Sequence, residues 1–170
     1  MSSFHTREQA DLLETMARHR MFLRQTVHGM DEKQIRQRST VSQLTLASIL
    51  QHVTAMERQW VDFIVRGPEA IGAADQAALE RYAEQWRVPD GVTLDSLLAD
   101  YAAVAGHTEQ VVRELPSLDL SHPLPPAPWF APGAEWTARR VLLHLIAETS
   151  QHAGHADIIR ESLDGAKTMG

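Results

Sequence analysis

Apolar residues recur every three or four positions along four long stretches of the chain, each bounded by residues that start or stop helices. The first follows Thr6-Arg7-Glu8-Gln9, which suits a capping box. Leu12, Leu13, Met16, Met21, Phe22, Leu23 and Val27 then keep helical spacing up to Gly29, which predicts a helix over residues 7–28. The second begins near Thr45 and runs to Val65, with Leu46, Ile49, Leu50, Val53, Met56, Trp60 and Ile64 inward, and is stopped by Gly67-Pro68. The third, from Thr93 to Pro116, has the cleanest apolar face, built on Leu94, Leu97, Leu98, Tyr101, Val104, Ala105, Thr108, Val111, Val112 and Leu115. Between them, residues 31–37 suit a helical turn or two, and residues 76–85 suit a short exposed helix ended by Pro89-Asp90-Gly91.

The fourth stretch, residues 135–165, has Thr137 as its N-cap and nothing to break the pattern until Asp164-Gly165, with Gly154 as the only interior weak point. At 100° per residue, Val141 and Ile159 fall at roughly 0°, Leu145 and Leu163 near 40° and Ile158 near 260°, which marks the core face. His144, Glu148, His152 and His155 fall on the same arc. Four groups able to bind protons or metals thus point where apolar side chains belong. Burying them without partners costs roughly several kcal/mol, and a divalent cation would satisfy them. Glu148 and His152 stand on adjacent turns about 6 Å apart along the axis, close enough to share one ion.

Residues 116–135 hold six prolines, which excludes a helix or a central strand and predicts a long loop. Trp129-Phe130 forms its apolar tip, suited either to covering a cavity or to plugging the core. No strand-like alternation of useful length and no internal repeat is visible. The expectation is an all-α chain: an up-down four-helix bundle with a long Pro-rich crossover before the last helix, a single domain over residues 1–170.

Composition narrows the chemistry. Of 170 residues 44% are hydrophobic, enough for one proper core, and the net charge is −6 with 16 scattered Lys and Arg, which argues against nucleic acid and anionic lipid as partners. There is no cysteine, so a disulfide framework, a thiolate zinc site and a cysteine nucleophile are all excluded, and any thiol chemistry must use a borrowed thiol. The N-terminus lacks a basic region followed by a long apolar one, and no apolar run approaches about 18 residues, so a soluble cytoplasmic protein with no membrane partner is expected.

A catalytic zinc site uses three protein ligands and an open position. With Glu148 and His152 from the last helix, the third donor must come from elsewhere, and His52 is the only histidine of the second helix. His107 falls outside its helix's apolar arc, and His5, His19, His28 and His122 lie near ends, on the first helix or in the loop. The spacing favours His52, Glu148 and His152, with His144 or His155 as competitors; the opposing reading is a hydrogen-bonded ladder or a wet groove between subunits. Glu57 also falls among apolar positions, as a buried acceptor for an Arg or Tyr or as a catalytic group.

The segments HLIAETSQHAGHADIIRESLDG and LASILQHVTAMERQW resemble the DinB-like superfamily of metal-binding four-helix bundles, over essentially the whole chain. The chain is most similar to the branch related to mycothiol-dependent maleylpyruvate isomerase and the mycothiol and bacillithiol S-transferases. The resemblance implies a metal held by His52, Glu148 and His152, and the carboxylate at 148, where other DinB-like proteins carry His, points to the thiol-transferase branch. His155, Asp157, Arg160 and Glu161 belong to the recurring HAGHAD-x-x-RE string; His155 is the candidate catalytic residue, as a hydrogen-bond partner behind a ligand or a substrate contact, and Asp157 and Arg160 are expected in structural ion pairs. The usual ending of relatives, DG-x-TG, is altered here over residues 164–170.

The implied activity is that of a metal-dependent thiol transferase. A low-molecular-weight thiol of mycothiol or bacillithiol type would be activated at an open position of a divalent metal, zinc first and nickel or iron(II) next, for attack on an electrophile. The partners are then a small thiol and an electrophile, with a homodimer through helix faces. Two alternatives stand beside it: a hydrolase using metal-activated water, with His155, His144 or Glu57 as the base, and a non-catalytic metal-stabilised binding or stress module. A fourth protein ligand would favour the structural role.

Overall fold

A computed structural model of the chain describes residues 6–72 and 75–168, except for the side chain of Arg81. His5 and the last two residues of the altered tail, Met169 and Gly170, lie outside the described residues. The chain is built from α1 (Arg7–Gln25), α2 (Glu32–Arg36), α3 (Leu46–Arg66), a 3-10 turn (Gly67–Ala70), α4 (Gln76–Glu84), α5 (Leu94–Glu114), β1 (Ser121–Pro123), β2 (Glu135–Thr137) and α6 (Ala138–Asp164).

Local chemistry sets these boundaries. Thr6 accepts from the Gln9 amide at 3.2 Å while Gln9 Oε1 accepts from the Thr6 amide at 2.7 Å, the reciprocal pair expected there. Thr45 with Ser48 and Thr93 with Ser96 repeat the arrangement at α3 and α5, and Thr137 caps α6. Gly165 ends α6 at φ 79°, and Gly67 ends α3 at φ 74°, a backbone conformation that residues with a Cβ rarely adopt. The first helix stops three residues before the predicted His28. The amides of Thr26, Val27 and His28 bond back only three residues, and the Thr26 hydroxyl donates to the Leu23 carbonyl at 2.7 Å, so the last turn tightens out of the α form.

Four long helices form the bundle, with α1 against α5 and α6, and α3 against the same two. Contacts between ends give the directions. Arg139, at the start of α6, donates to Glu8 at the start of α1, and Arg160 near the end of α6 donates to the carbonyls of Thr26 and His28 just past α1, so these helices are parallel. Gln9 donates to the carbonyl of Val112, setting α5 antiparallel to α1. His52 and Trp60 of α3 meet His152 and His144 of α6 in reverse order. The helical bundle is as expected, but its order is up-down-down-up and not the expected up-down, because the segment through α4 carries the chain back beside Gln51 and Arg36 before α5 begins, so α5 runs parallel to α3.

Its centre is apolar, with Leu23, Leu46, Ile49, Leu50, Phe63, Leu142 and Leu145 fully buried. Among them lies one ion pair. Arg20 of α1 donates through two nitrogens to Glu57 of α3, and the Thr108 hydroxyl of α5 donates to the same carboxylate at 2.5 Å. Glu57 is therefore the buried acceptor of an arginine, its structural reading.

Two further expectations need correction. Ile158 is 63% exposed, outside the core. The buried side of α6 runs through Ala138, Leu142, Leu145, Thr149, Ala153 and Ala156, an arc centred about 60° round from Val141, because this helix packs on α1 as well as α3. The crossover also contains a short antiparallel ladder that pairs Ser121 with Thr137, His122 with Trp136 and Pro123 with Glu135. Three residues are too few to show alternation, and Pro123 disguises the strand. The ladder is anchored by His122, whose Nε2 bonds the Ile64 carbonyl at 3.1 Å and whose ring fills the space a Cβ at Gly67 would need.

Candidate metal centre

His52, Glu148 and His152 come together between α3 and α6. One donor atom from each lies within 4.8 Å of the others, the only such group of three among the described residues. The antiparallel packing of α3 on α6 produces this, since it brings the first half of α3 beside the middle of α6. His152 Nε2 lies 3.6 Å from Glu148 Oε2, and the His52 and His152 rings meet edge to face at 4.9 Å.

Both imidazoles are buried, His52 to 4% exposure and His152 to 8%. Burial pushes the His52 ring down to about 4, with neighbouring His152 adding to the effect, and burial likewise lowers His152 with His155 adding. Both rings are then neutral near pH 7, the form that ligates metal. His52 Nδ1 is buried with no hydrogen-bond partner. Two neutral imidazoles and one carboxylate whose donor atoms converge fit a divalent cation of the zinc type.

The other candidates stand around this group. His155 presents Nδ1 to His152 Nδ1 at 3.4 Å, so the two rings share a single proton on that side and His152 Nε2 is left facing Glu148. His144 lies one turn before Glu148, held edge-on between Trp60 and Trp136, and its pKa is lowered chiefly by burial. His107 is exposed on α5. Arg160 pairs with Asp164 at 2.8 Å as expected, whereas Asp157 accepts from the backbone amide of Thr168 in place of an ion pair. The altered tail does shape a cavity, but a different one, of about 810 Å³, between it, α1 and α5.

A cavity of about 640 Å³ opens beside the three donors, bordered by Met56 and Trp60 of α3, Leu79 and Tyr82 of α4, and Trp129 and Phe130 of the crossover. The Trp129-Phe130 tip is thus a cavity wall and not a core plug. Trp86, absent from the candidates that sequence spacing offers, stacks on His52 at 3.8 Å and 13°. Gln51, next to His52 in the chain, holds that segment by donating its side-chain amide to the carbonyls of Glu84, Gln85 and Arg87. The signal was present: Tyr82 and Trp86 are aromatic residues one turn apart in an otherwise polar segment.

The family model of mycothiol-S-transferase (MST) matches residues 11–165, a span that takes in all three donors. The chain belongs to the mycothiol-S-transferase family. No curated protein matches it. The family implies a small-molecule thiol substrate, and the chain has no cysteine of its own. Among the described residues no helix of this family member is long and apolar enough to cross a membrane.

Proposed function

We propose that this mycothiol-S-transferase family member is a metal-dependent enzyme that joins a low-molecular-weight thiol, of mycothiol type, to an electrophile. The observation that carries the reading is the convergence of His52, Glu148 and His152 at the edge of a cavity, with three donors and not four. His155, the nearest competitor, turns its nitrogen to His152, so the donor set stays open on the cavity side. A divalent cation held there, zinc by the mixed imidazole and carboxylate donors, supplies electrostatic stabilisation of a thiolate.

The chain's own residues do the rest. His155 orients His152, Trp86 shields the face of His52 from water, and Glu148 reaches from the buried donors to the cavity. The thiol releases its proton to water, its sulfur forms the bond to carbon, and the leaving group departs with the bonding pair. The hydrolytic alternative loses one base candidate, because Glu57 is engaged by Arg20 and Thr108 and does not border the cavity.

Two outcomes test this. Zinc-loaded protein incubated with monochlorobimane and each of several cellular thiols should form a fluorescent conjugate with one of them and lose that activity after chelation; a flat response to every thiol counts against the transferase. His155→Phe, which keeps an aromatic ring and removes the nitrogens, should weaken zinc about 10–100-fold in competition with a chromophoric chelator. Unchanged affinity would remove His155 from the site.

A further inference from the structure

The cavity beside the donors is walled by rings. Trp60, Tyr82, Trp86, Trp129 and Phe130 all border it, from three separate parts of the chain. Leu79, Tyr82 and Trp129 are 55%, 57% and 63% exposed, so large apolar groups stand in water around one opening. Apolar surface of this kind around a concavity marks a ligand site, and 640 Å³ falls within the roughly 300–1,000 Å³ of small-molecule pockets. Glu148 is the only carboxylate among the described residues that border the cavity, and no Lys or Arg is among them. The polar remainder is mainly neutral amides, those of Gln59, Gln85 and Gln151, and imidazoles.

We infer that the electrophile this site accepts is an uncharged, ring-bearing molecule, and that electrophiles carrying a carboxylate are rejected. The inference rests on the thiol-transferase reading and specifies its second substrate. Ring faces offer stacking and apolar burial to a planar molecule. A carboxylate brought in would give up its hydration beside Glu148 and find no cation among the described side chains of the wall. The cation's own charge does not reverse this, since one bound carboxylate and one thiolate together balance two positive charges.

Binding of unreactive ligands separates the inference from the reaction. The full chain, freed of metal by chelation so that no cation can ligate a carboxylate, is titrated calorimetrically with 4-nitrobenzyl alcohol and with 4-nitrobenzoate, which share a ring and differ in charge. The alcohol should saturate one site at least about tenfold tighter than the benzoate, because an unpaired charge is costly to bury. Trp129→Ala and Leu79→Ala, which truncate exposed wall side chains and leave the core intact, should each weaken the alcohol several-fold. A benzoate that matches the alcohol, or an alcohol indifferent to both substitutions, overturns the inference. Ring binding without conjugation to any thiol overturns the transferase reading alone, and conjugation without selective ring binding overturns the substrate class alone.

Discussion

Glu148→Gln is expected to abolish metal retention. The substitution keeps the side chain's length and shape but exchanges an anionic donor for a neutral amide, and it leaves two imidazoles that no longer have a charged partner to share an ion with. Loss of a direct ligand should exceed the roughly 10–100-fold penalty typical of removing a supporting hydrogen-bond partner, so the purified variant should hold almost no zinc and show no conjugation. Elemental analysis after dialysis reads this directly, and full metal content in the variant would dismiss the three-donor assignment. His52→Ala should empty the site as well, but it also removes the ring against which Trp86 stacks. Its metal content is therefore to be compared at matched folding, judged by circular dichroism.

The largest effect on stability is expected at Arg20. Arg20→Met leaves Glu57, fully buried, without its cation, and breaking a buried pair from one side costs about 3–5 kcal/mol. The Thr108 hydroxyl still donates to the carboxylate but carries no charge. Urea unfolding of the metal-free protein near pH 7 measures the loss as a lower midpoint with an unchanged slope. Combining Arg20→Met with Glu57→Leu should recover much of it, because an apolar pair of similar volume needs no hydration. A single substitution costing under about 1 kcal/mol would mean that the pair is hydrated and the core is not closed around it.

Much of this site was legible before any coordinates. The turn-to-turn spacing of Glu148 and His152 and the single histidine of the second helix led to the three residues whose donors converge. The capping residues, the apolar faces of α3 and α5 and the proline-rich crossover were also read correctly. Errors arose where one helix has two neighbours. Ile158 looked inward when α6 was assigned a single face, whereas the helix buries an arc containing Thr149, Ala153 and Ala156, residues too small or too polar to signal a core. The ladder at His122 was missed because three residues carry no period, and the role of Trp86 was missed because stacking on His52 involves residues 34 positions apart.

The sequence by itself determined what depends on neighbours within a turn or two: where helices start and stop, which flank of each is apolar, and that a carboxylate and an imidazole share one flank of α6. Helical geometry at about 3.6 residues per turn makes those relations independent of the rest of the chain. The tertiary structure alone decided that α3 lies antiparallel to α6 with His52 opposite His152, that α4 hangs from Gln51 with Trp86 over the site, and that the crossover lends its rings to the cavity wall. Those relations arise from packing several faces at once, where each helix settles by burying apolar area against all of its neighbours, and no periodicity along one helix records which neighbour that will be.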